Sequence, residues 1–193
     1  MFIAFEGIDK AGKGTQTRIL AKRLKKEGYE VEAIAFPDYS TTLGKEIKAF
    51  LRGKTAFCPE VRQLLYTANR WENRDKINTW LKEEKIVIAD RYVASGIVYG
   101  LANNLDMKWV LELERGLPET DKVFVIDVPV NVAFSREEKK KDVYEEDNEF
   151  LTKVREIYLR LAKQFKCEII NGNRLIDEVS KDIWLKTGKI LEN

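Results

Sequence analysis

Phe2-Ile3-Ala4-Phe5-Glu6-Gly7-Ile8-Asp9-Lys10-Ala11-Gly12-Lys13-Gly14-Thr15 opens the chain, and its reading decides the fold. Residues 2–6 form a short, mainly apolar run that suits a buried strand. Gly7 to Lys13 then fits G-x-x-x-x-G-K, with Gly14-Thr15 following where Ser or Thr usually comes directly. The glycines permit backbone conformations that aim successive N–H groups at a phosphate, and Lys13 adds a mobile positive charge. From Thr15 to Glu27 the apolar residues Ile19, Leu20, Ala21 and Leu24 recur with helical spacing, and Gly28 ends the helix. That helix points its positive dipole end at the loop. The bare spacing arises by chance in unrelated chains; a strand just before it and an amphipathic helix just after it make it a phosphate loop. Gly7, Ile8, Asp9, Lys10, Ala11, Gly12, Lys13, Gly14 and Thr15 are therefore the candidate phosphate-binding residues.

Gly14 stands where this motif usually carries a metal-binding hydroxyl. Either Thr15 substitutes for it, or the metal is held mostly through water. Mg²⁺ is expected in both cases, because phosphoryl transfer needs its charge between the β- and γ-phosphates.

Outward from the loop, residues 31–36 predict a second strand stopped by Pro37. Helical stretches are predicted over 43–52 and from Pro59 through Trp71 towards Leu81, with Trp71 read as core. The apolar runs 86–89 and 122–128 suit central parallel strands covered on both faces. Segment 136–146 is the most charged in the chain and lies between helical segments 130–136 and 147–166. A strand at 168–170, a turn at Asn171-Gly172-Asn173 and a helix from Ile176 to about Lys186 complete the pattern. Strands alternating with helices predict a three-layer α/β/α P-loop NTPase fold with a five-stranded, mainly parallel sheet. The chain reads as one P-loop domain over residues 1–193, with the charged segment 137–146 set between two helical stretches. Ligands in such sheets gather at the carboxyl ends of the strands.

Composition narrows the chemistry. The net charge of +2 over 193 residues is too near balance to argue by itself for nucleic acid or membrane as a partner, and neither is expected. The chain has no histidine, which excludes Ser–His and Cys–His nucleophilic catalysis. Cys58 and Cys167 are far apart, so neither a disulfide framework nor a zinc site is indicated, and a reducing cytoplasm is the expected setting. No run approaches the ~20 apolar residues of a membrane span.

A phosphate loop leaves the acceptor undefined. Asp90-Arg91-Tyr92 follows an apolar strand and so lies beside the loop. Arg91 there is able to grip an acceptor phosphate with two parallel hydrogen bonds, while Asp90 organises water around the metal. Taken alone, the same tripeptide is equally a helix start with a surface arginine; beside a phosphate loop the functional reading is the stronger.

Across essentially its whole length the chain resembles the thymidylate kinase family. The landmarks are the phosphate loop with Asp9, Phe36-Pro37-Asp38, Leu65-Tyr66-Thr67-Ala68-Asn69-Arg70-Trp71, and Asp90-Arg91-Tyr92 with Ser95, Gly96 and Tyr99. Gly116-Leu117-Pro118 and Tyr144-Glu145 follow in order. The resemblance implies ATP and dTMP as substrates, Mg²⁺ as cofactor and a homodimer. It implies that Tyr66 stacks on thymine, Arg70 donates to a base carbonyl, and Asp9 accepts from the sugar 3′-hydroxyl. Arg91 holds the acceptor phosphate, Tyr99 lies under C2′ and disfavours ribose, and Tyr144 closes over it; Phe36, Tyr39, Ser95 and Gly96 complete the acceptor site. On the donor side it implies that Arg136 packs against adenine and that Asn171-Gly172-Asn173 touches the adenine edge. Family members place a catalytic arginine either in the loop or in the lid. Here Lys10 occupies the loop while Arg136, Lys139, Lys140 and Lys141 occupy the lid, and both arrangements remain open.

Tyr39 departs from the family, which usually has an arginine there. Either a neighbouring cation compensates, Lys10 first among them, or dTMP binds less tightly. Two rival readings also remain. A deoxynucleoside kinase needs a carboxylate base after the second strand, and Asp38 is placed to supply one. A P-loop nucleotide switch would be expected to carry a guanine-reading NKxD motif, which the sequence lacks.

Overall fold

The structure, a computed structural model, describes residues 1–136, 148–165 and 167–191. Its elements are β1 (Phe2–Glu6), α1 (Lys13–Lys26), β2 (Val31–Ala35), α2 (Thr42–Leu51), α3 (Pro59–Glu72), α4 (Arg74–Lys82) and β3 (Ile86–Asp90). These are followed by α5 (Val93–Ala102), α6 (Met107–Glu114), β4 (Lys122–Asp127), α7 (Val130–Phe134), α8 (Asn148–Gln164), β5 (Glu168–Asn171) and α9 (Ile176–Leu191). The five strands form one parallel sheet in the order β2-β3-β1-β4-β5, as the alternating pattern predicts.

Alternation along β1 sends its side chains to two cores. Phe2 and Ala4 join Val87 and Ala89 of β3, Ile77 of α4, Phe36 and Tyr92 on one face. Ile3 and Phe5 join Ile88, Leu20 and Leu24 of α1, Val98 of α5 and Ile157 of α8 on the other. A strand buried on both faces needs apolar residues at nearly every position, which is why residues 2–5 read as an unbroken run. Because β1 is central, its carboxyl end delivers the phosphate loop to the middle of the sheet edge, directly beside the end of β3.

The predicted helix over 59–81 is two helices, broken at Asn73. There the backbone N–H turns to Arg70 O at 3.1 Å, while the buried carboxamide Nδ2 donates to Asn69 O at 3.2 Å. The side chain thus satisfies the carbonyl that a continuing helix would have used. Trp71, read as core, is 37% exposed; its Nε1 donates to Leu113 O at 3.0 Å and Arg74 lies over its ring. The periodicity also leaves α5 and α6 unread. Helix α5 (VASGIVYGLA) is buried on most sides and carries no charged residue, so it lacks the polar stripe that betrays a surface helix. The last helix runs to Leu191 rather than about Lys186.

Candidate active site

The phosphate loop takes backbone conformations its sequence allows. Gly7 and Gly12 have φ of 133° and 101°. A Cβ on Gly7 would lie 2.5 Å from Ile126 O, so only glycine fits against β4 at this point. Lys13 is 6% exposed and folds back over the loop, donating from Nζ to Ile8 O at 2.8 Å. Burial first, and the Arg91 charge second, lower its ammonium to about 8, against the opposing pull of Asp9, Asp90 and Glu6.

Asp9 and Arg91 form the hinge between loop and sheet. Arg91 sits at φ 66°, and its guanidinium donates from Nη2 to Asp9 Oδ1 at 2.6 Å and from Nη1 to Gly7 O at 3.0 Å and Ser95 Oγ at 3.2 Å. Tyr99 Oη adds a bond to Asp9 Oδ2 at 3.2 Å. Burial pushes the Asp9 carboxyl up, but the charges of Arg91 and Lys13 and the two hydrogen bonds outweigh it and hold it at about 2. Beneath this pair, Glu6 is fully buried. Its Oε1 accepts from the backbone N–H groups of Tyr92 (2.8 Å) and Ser95 (3.2 Å), and its Oε2 accepts from Ser95 Oγ and from Tyr158 Oη at 3.0 Å. A buried carboxylate thereby caps the start of α5 and fixes the hydroxyl that supports Arg91.

One cavity opens beside this pair, enclosing about 630 Å³ of space that reaches solvent. Every described residue expected to bind the acceptor lines it: Asp9, Phe36, Tyr39, Tyr66, Arg70, Arg91, Ser95, Gly96 and Tyr99. Pro37, Leu51 and Gln63 also line it, and the sequence reading gives none of these three a place in the acceptor site. Arg70 does not stand alone. Its Nε donates to Glu114 Oε2 at 2.9 Å and its Nη2 bonds Glu114 Oε1, while Thr67 Oγ1 donates to the same Oε1 at 2.8 Å. Both partners of this ion pair are 3% exposed at their side chains. Gly96 makes room for it: a Cβ there would lie 2.3 Å from Arg70 Nη2. Asn69 ties α3 to the wall opposite, accepting from Asp38 N at 2.7 Å and donating to Asp38 O and to Thr41 Oγ1. The Phe36–Pro37 peptide bond in that wall is cis.

A second cavity lies on the other side of the loop, lined by Lys10, Ala11, Gly12, Thr15 and Arg136 together with Gly172. Arg136 bridges its walls, donating from Nη1 to Ala11 O at 3.3 Å and from Nη2 to Gly172 O at 2.8 Å. Gly172 packs so closely on β4 that a Cβ would lie 2.6 Å from Ile126 Cγ2. Asn171 Oδ1 accepts from Asn173 N at 2.9 Å and holds the turn. Sequence reasoning misses Arg174, Leu175 and Ile176, which also line this cavity; the large exposure of both apolar residues is a signal only the fold reveals. Lys10 belongs to this side, its Nζ 4.7 Å above the Phe134 ring, whereas Tyr39 lines the acceptor cavity. Compensation of Tyr39 by Lys10 therefore has no support in the geometry. Tyr144 and segment 137–146 fall outside the described residues.

Asp90 stands against the loop at Gly14, where a Cβ would lie 3.0 Å from its Oδ2. The missing side chain at residue 14 is thus the room that the Asp90 carboxylate uses. Among the described residues no three potential ligands from His, Cys, Asp and Glu converge. Oxygen groups of Asp90 and Thr15 suit a hard divalent cation that takes most of its ligands from phosphate and water.

The sequence matches the thymidylate kinase family over residues 5–183. It is 35% identical to thymidylate kinase of Dictyostelium discoideum, over 95% of this chain and 82% of that protein. It is 37% identical to a probable thymidylate kinase of Thermococcus onnurineus, over 95% of both chains. The fold superposes on a solved thymidylate kinase from Candida albicans with a TM-score of 0.87 at 30% identity, covering 97% of this chain and 92% of that one.

Proposed function

The chain belongs to the thymidylate kinase family, and from that premise we propose how its residues divide the work. The reaction is transfer of the γ-phosphate of ATP to dTMP, giving ADP and dTDP for dTTP synthesis. The observation that carries the assignment of residues is the shared wall. Asp9 and Arg91 line the acceptor cavity, while Lys10, Gly12 and Thr15 of the same loop line the donor cavity behind it. Two phosphates approaching from the two sides meet at Lys13.

ATP lies on the donor side. Its phosphates take the backbone N–H groups of residues 7–15 and the ammonium of Lys13, and its base lies between Arg136 and the Asn171-Gly172-Asn173 turn. dTMP lies in the other cavity, with thymine between Tyr66 and Phe36, one carbonyl on Arg70, and its phosphate on Arg91. Asp90 and Thr15 would hold Mg²⁺, directly or through water, and the bound ion would supply positive charge to the phosphate oxygens. No general base is required, because the attacking oxygen is already ionised. The protein's contribution is alignment, charge neutralisation by Lys13 and Arg91, and exclusion of water. Lys10 and Arg136 are the donor-side cations placed to act on the transferring phosphoryl group.

The deoxynucleoside-kinase reading loses its base. Asp38 does not line the acceptor cavity, and its Oδ1 accepts from Ser40 N at 3.0 Å and Ser40 Oγ at 2.6 Å. A coupled assay with ATP against dTMP, dUMP, AMP and thymidine tests the assignment. Turnover of dTMP far above thymidine is expected, and thymidine as the best acceptor would refute it.

A homodimer is supported by Val61, Leu64 and Trp71, which leave apolar surface exposed along α3, with exposed Leu111 on neighbouring α6. A cytoplasmic setting agrees with the free thiols of Cys58 and Cys167.

Two outcomes follow from the geometry. Lys13 in the ligand-free loop loses its proton near pH 8, whereas bound phosphate favours the charged form. ATP binding above that pH must therefore take up a proton, and affinity falls roughly tenfold per pH unit between about 8 and 9.5. Titration calorimetry in buffers of different ionisation heat reads both quantities, and a flat profile through pH 9.5 would contradict it. Tyr99 bonds Asp9 across the sugar site, so Tyr99→Ala opens space beside C2′. The kcat/KM ratio of dTMP to UMP should drop by roughly ten- to a hundredfold, the range typical of steric selection. An unaltered ratio removes Tyr99 from sugar discrimination.

A further inference from the structure

Gln63 is a polar side chain in an apolar place. It is 4% exposed, on the face of α3 that also presents Tyr66, Thr67 and Arg70 at positions i+3, i+4 and i+7. It lines the acceptor cavity, yet its Nε2 has no hydrogen-bond partner among the described residues. The carboxamide fits between α3 and α5 because residue 100 is glycine: a Cβ there would lie 3.0 Å from Gln63 Oε1. Burying an amide donor without a partner is costly, and a buried orphan in a native fold calls for an explanation. A wall residue that is unsatisfied only while the cavity lacks its ligand supplies one.

We propose that Gln63 is a specificity-determining residue, which donates a hydrogen bond from its carboxamide to the nucleobase of the acceptor. The inference rests on placing dTMP in this cavity. Arg70 is a donor in every geometry, and Glu114 with Thr67 fixes its orientation. Gln63 Nε2 is buried just behind the cavity wall, and a turn of its carboxamide gives the base site a second donor from the same helix face, so that one is rigid and one in need of an acceptor. Such a wall pairs with ring carbonyls, as in thymine and uracil. An exocyclic amino group in the same place sets donor against donor and leaves buried groups unpaired, which is the strongest means a pocket has of rejecting an analogue.

Gln63→Leu, of similar size and with nothing to hydrogen-bond, tests this in the full chain. The KM for dTMP should rise roughly five- to tenfold, the loss expected for one neutral hydrogen bond, with the KM for ATP unchanged. The preference for dTMP over dCMP should narrow at the same time. The ligand-free protein should melt at the same temperature or higher, because the substitution removes an orphaned donor; a purely structural glutamine would give a lower melting temperature instead. An unchanged KM for dTMP, an unchanged dTMP-to-dCMP ratio, or a KM rise accompanied by a lower melting temperature each overturns the proposal. Wild-type turnover of dTMP, measured alongside, keeps a failure of Gln63 distinct from a failure of the acceptor-site assignment.

Discussion

Lys13→Ala abolishes detectable phosphoryl transfer, a loss of about three orders of magnitude in kcat or more, while the ligand-free protein keeps its thermal stability at neutral pH. The first half follows from position. Lys13 belongs to the loop whose Asp9 lines one cavity and whose Gly12 lines the other, and its ammonium is held on Ile8 O, while Lys10 rests over Phe134 on the donor side. The second half follows from the cost of keeping this charge dry. The unfolded chain holds the Lys13 proton up to about pH 10.5, the folded chain only up to about 8. Folding therefore gains stability as pH rises across that window, and below it the buried ammonium is a net cost of roughly 3 kcal/mol. Alanine removes that cost along with the bond to Ile8 O. Steady-state kinetics and a melting curve at pH 7 read the two halves together. Near-wild-type turnover in a stably folded variant would show that the loop does not bind the transferring phosphate.

Arg91→Ala raises the KM for dTMP by roughly thirty- to a thousandfold and lowers kcat, with the KM for ATP little changed, as expected from losing a desolvated, charge-assisted contact. The same guanidinium holds Asp9, Gly7 O and Ser95 Oγ, so an effect through the loop has to be separated from one on the acceptor. Acid stability separates them. Asp9 has a folded value of about 2 against 3.8 unfolded, so its stabilisation is complete above pH 3.8 and is lost as pH falls through 2. Without Arg91 the folded value rises and acid unfolding begins at higher pH. Arg91→Lys restores a charge near Asp9 without the planar fork. It should recover much of the acid stability but little of the dTMP affinity. Equal losses for ATP and dTMP in both variants would mean that Arg91 serves the loop alone.

The parts of the site that could be read in advance are local ones. Gly7 and Gly12 declare themselves because a positive φ and a close backbone approach admit little else, and the strand and helix flanking them carry their own periodicity. Asp90-Arg91 could be placed because a short apolar run ends just before it, and the end of a parallel strand is where ligands gather. The resemblance then supplied roles for Tyr66, Arg70 and Tyr99, and all three line one cavity. Helix α5 escaped because burial on most sides erases the pattern that marks a helix, and Trp71 misled because an apolar ring on a helix need not face inward.

What the linear chain determined by itself was therefore the phosphate loop and the parallel α/β sheet around it. Only the tertiary structure decided what holds those groups in place. Glu114 reaches Arg70 from 44 residues away, Asn69 grips Asp38 from 31, and Tyr158 meets Glu6 from 152. A carboxylate or carboxamide in a sequence carries no sign of its partner. Pairing is set by which elements the hydrophobic cores bring into contact, and burial then makes each of those bonds costly to leave unmade.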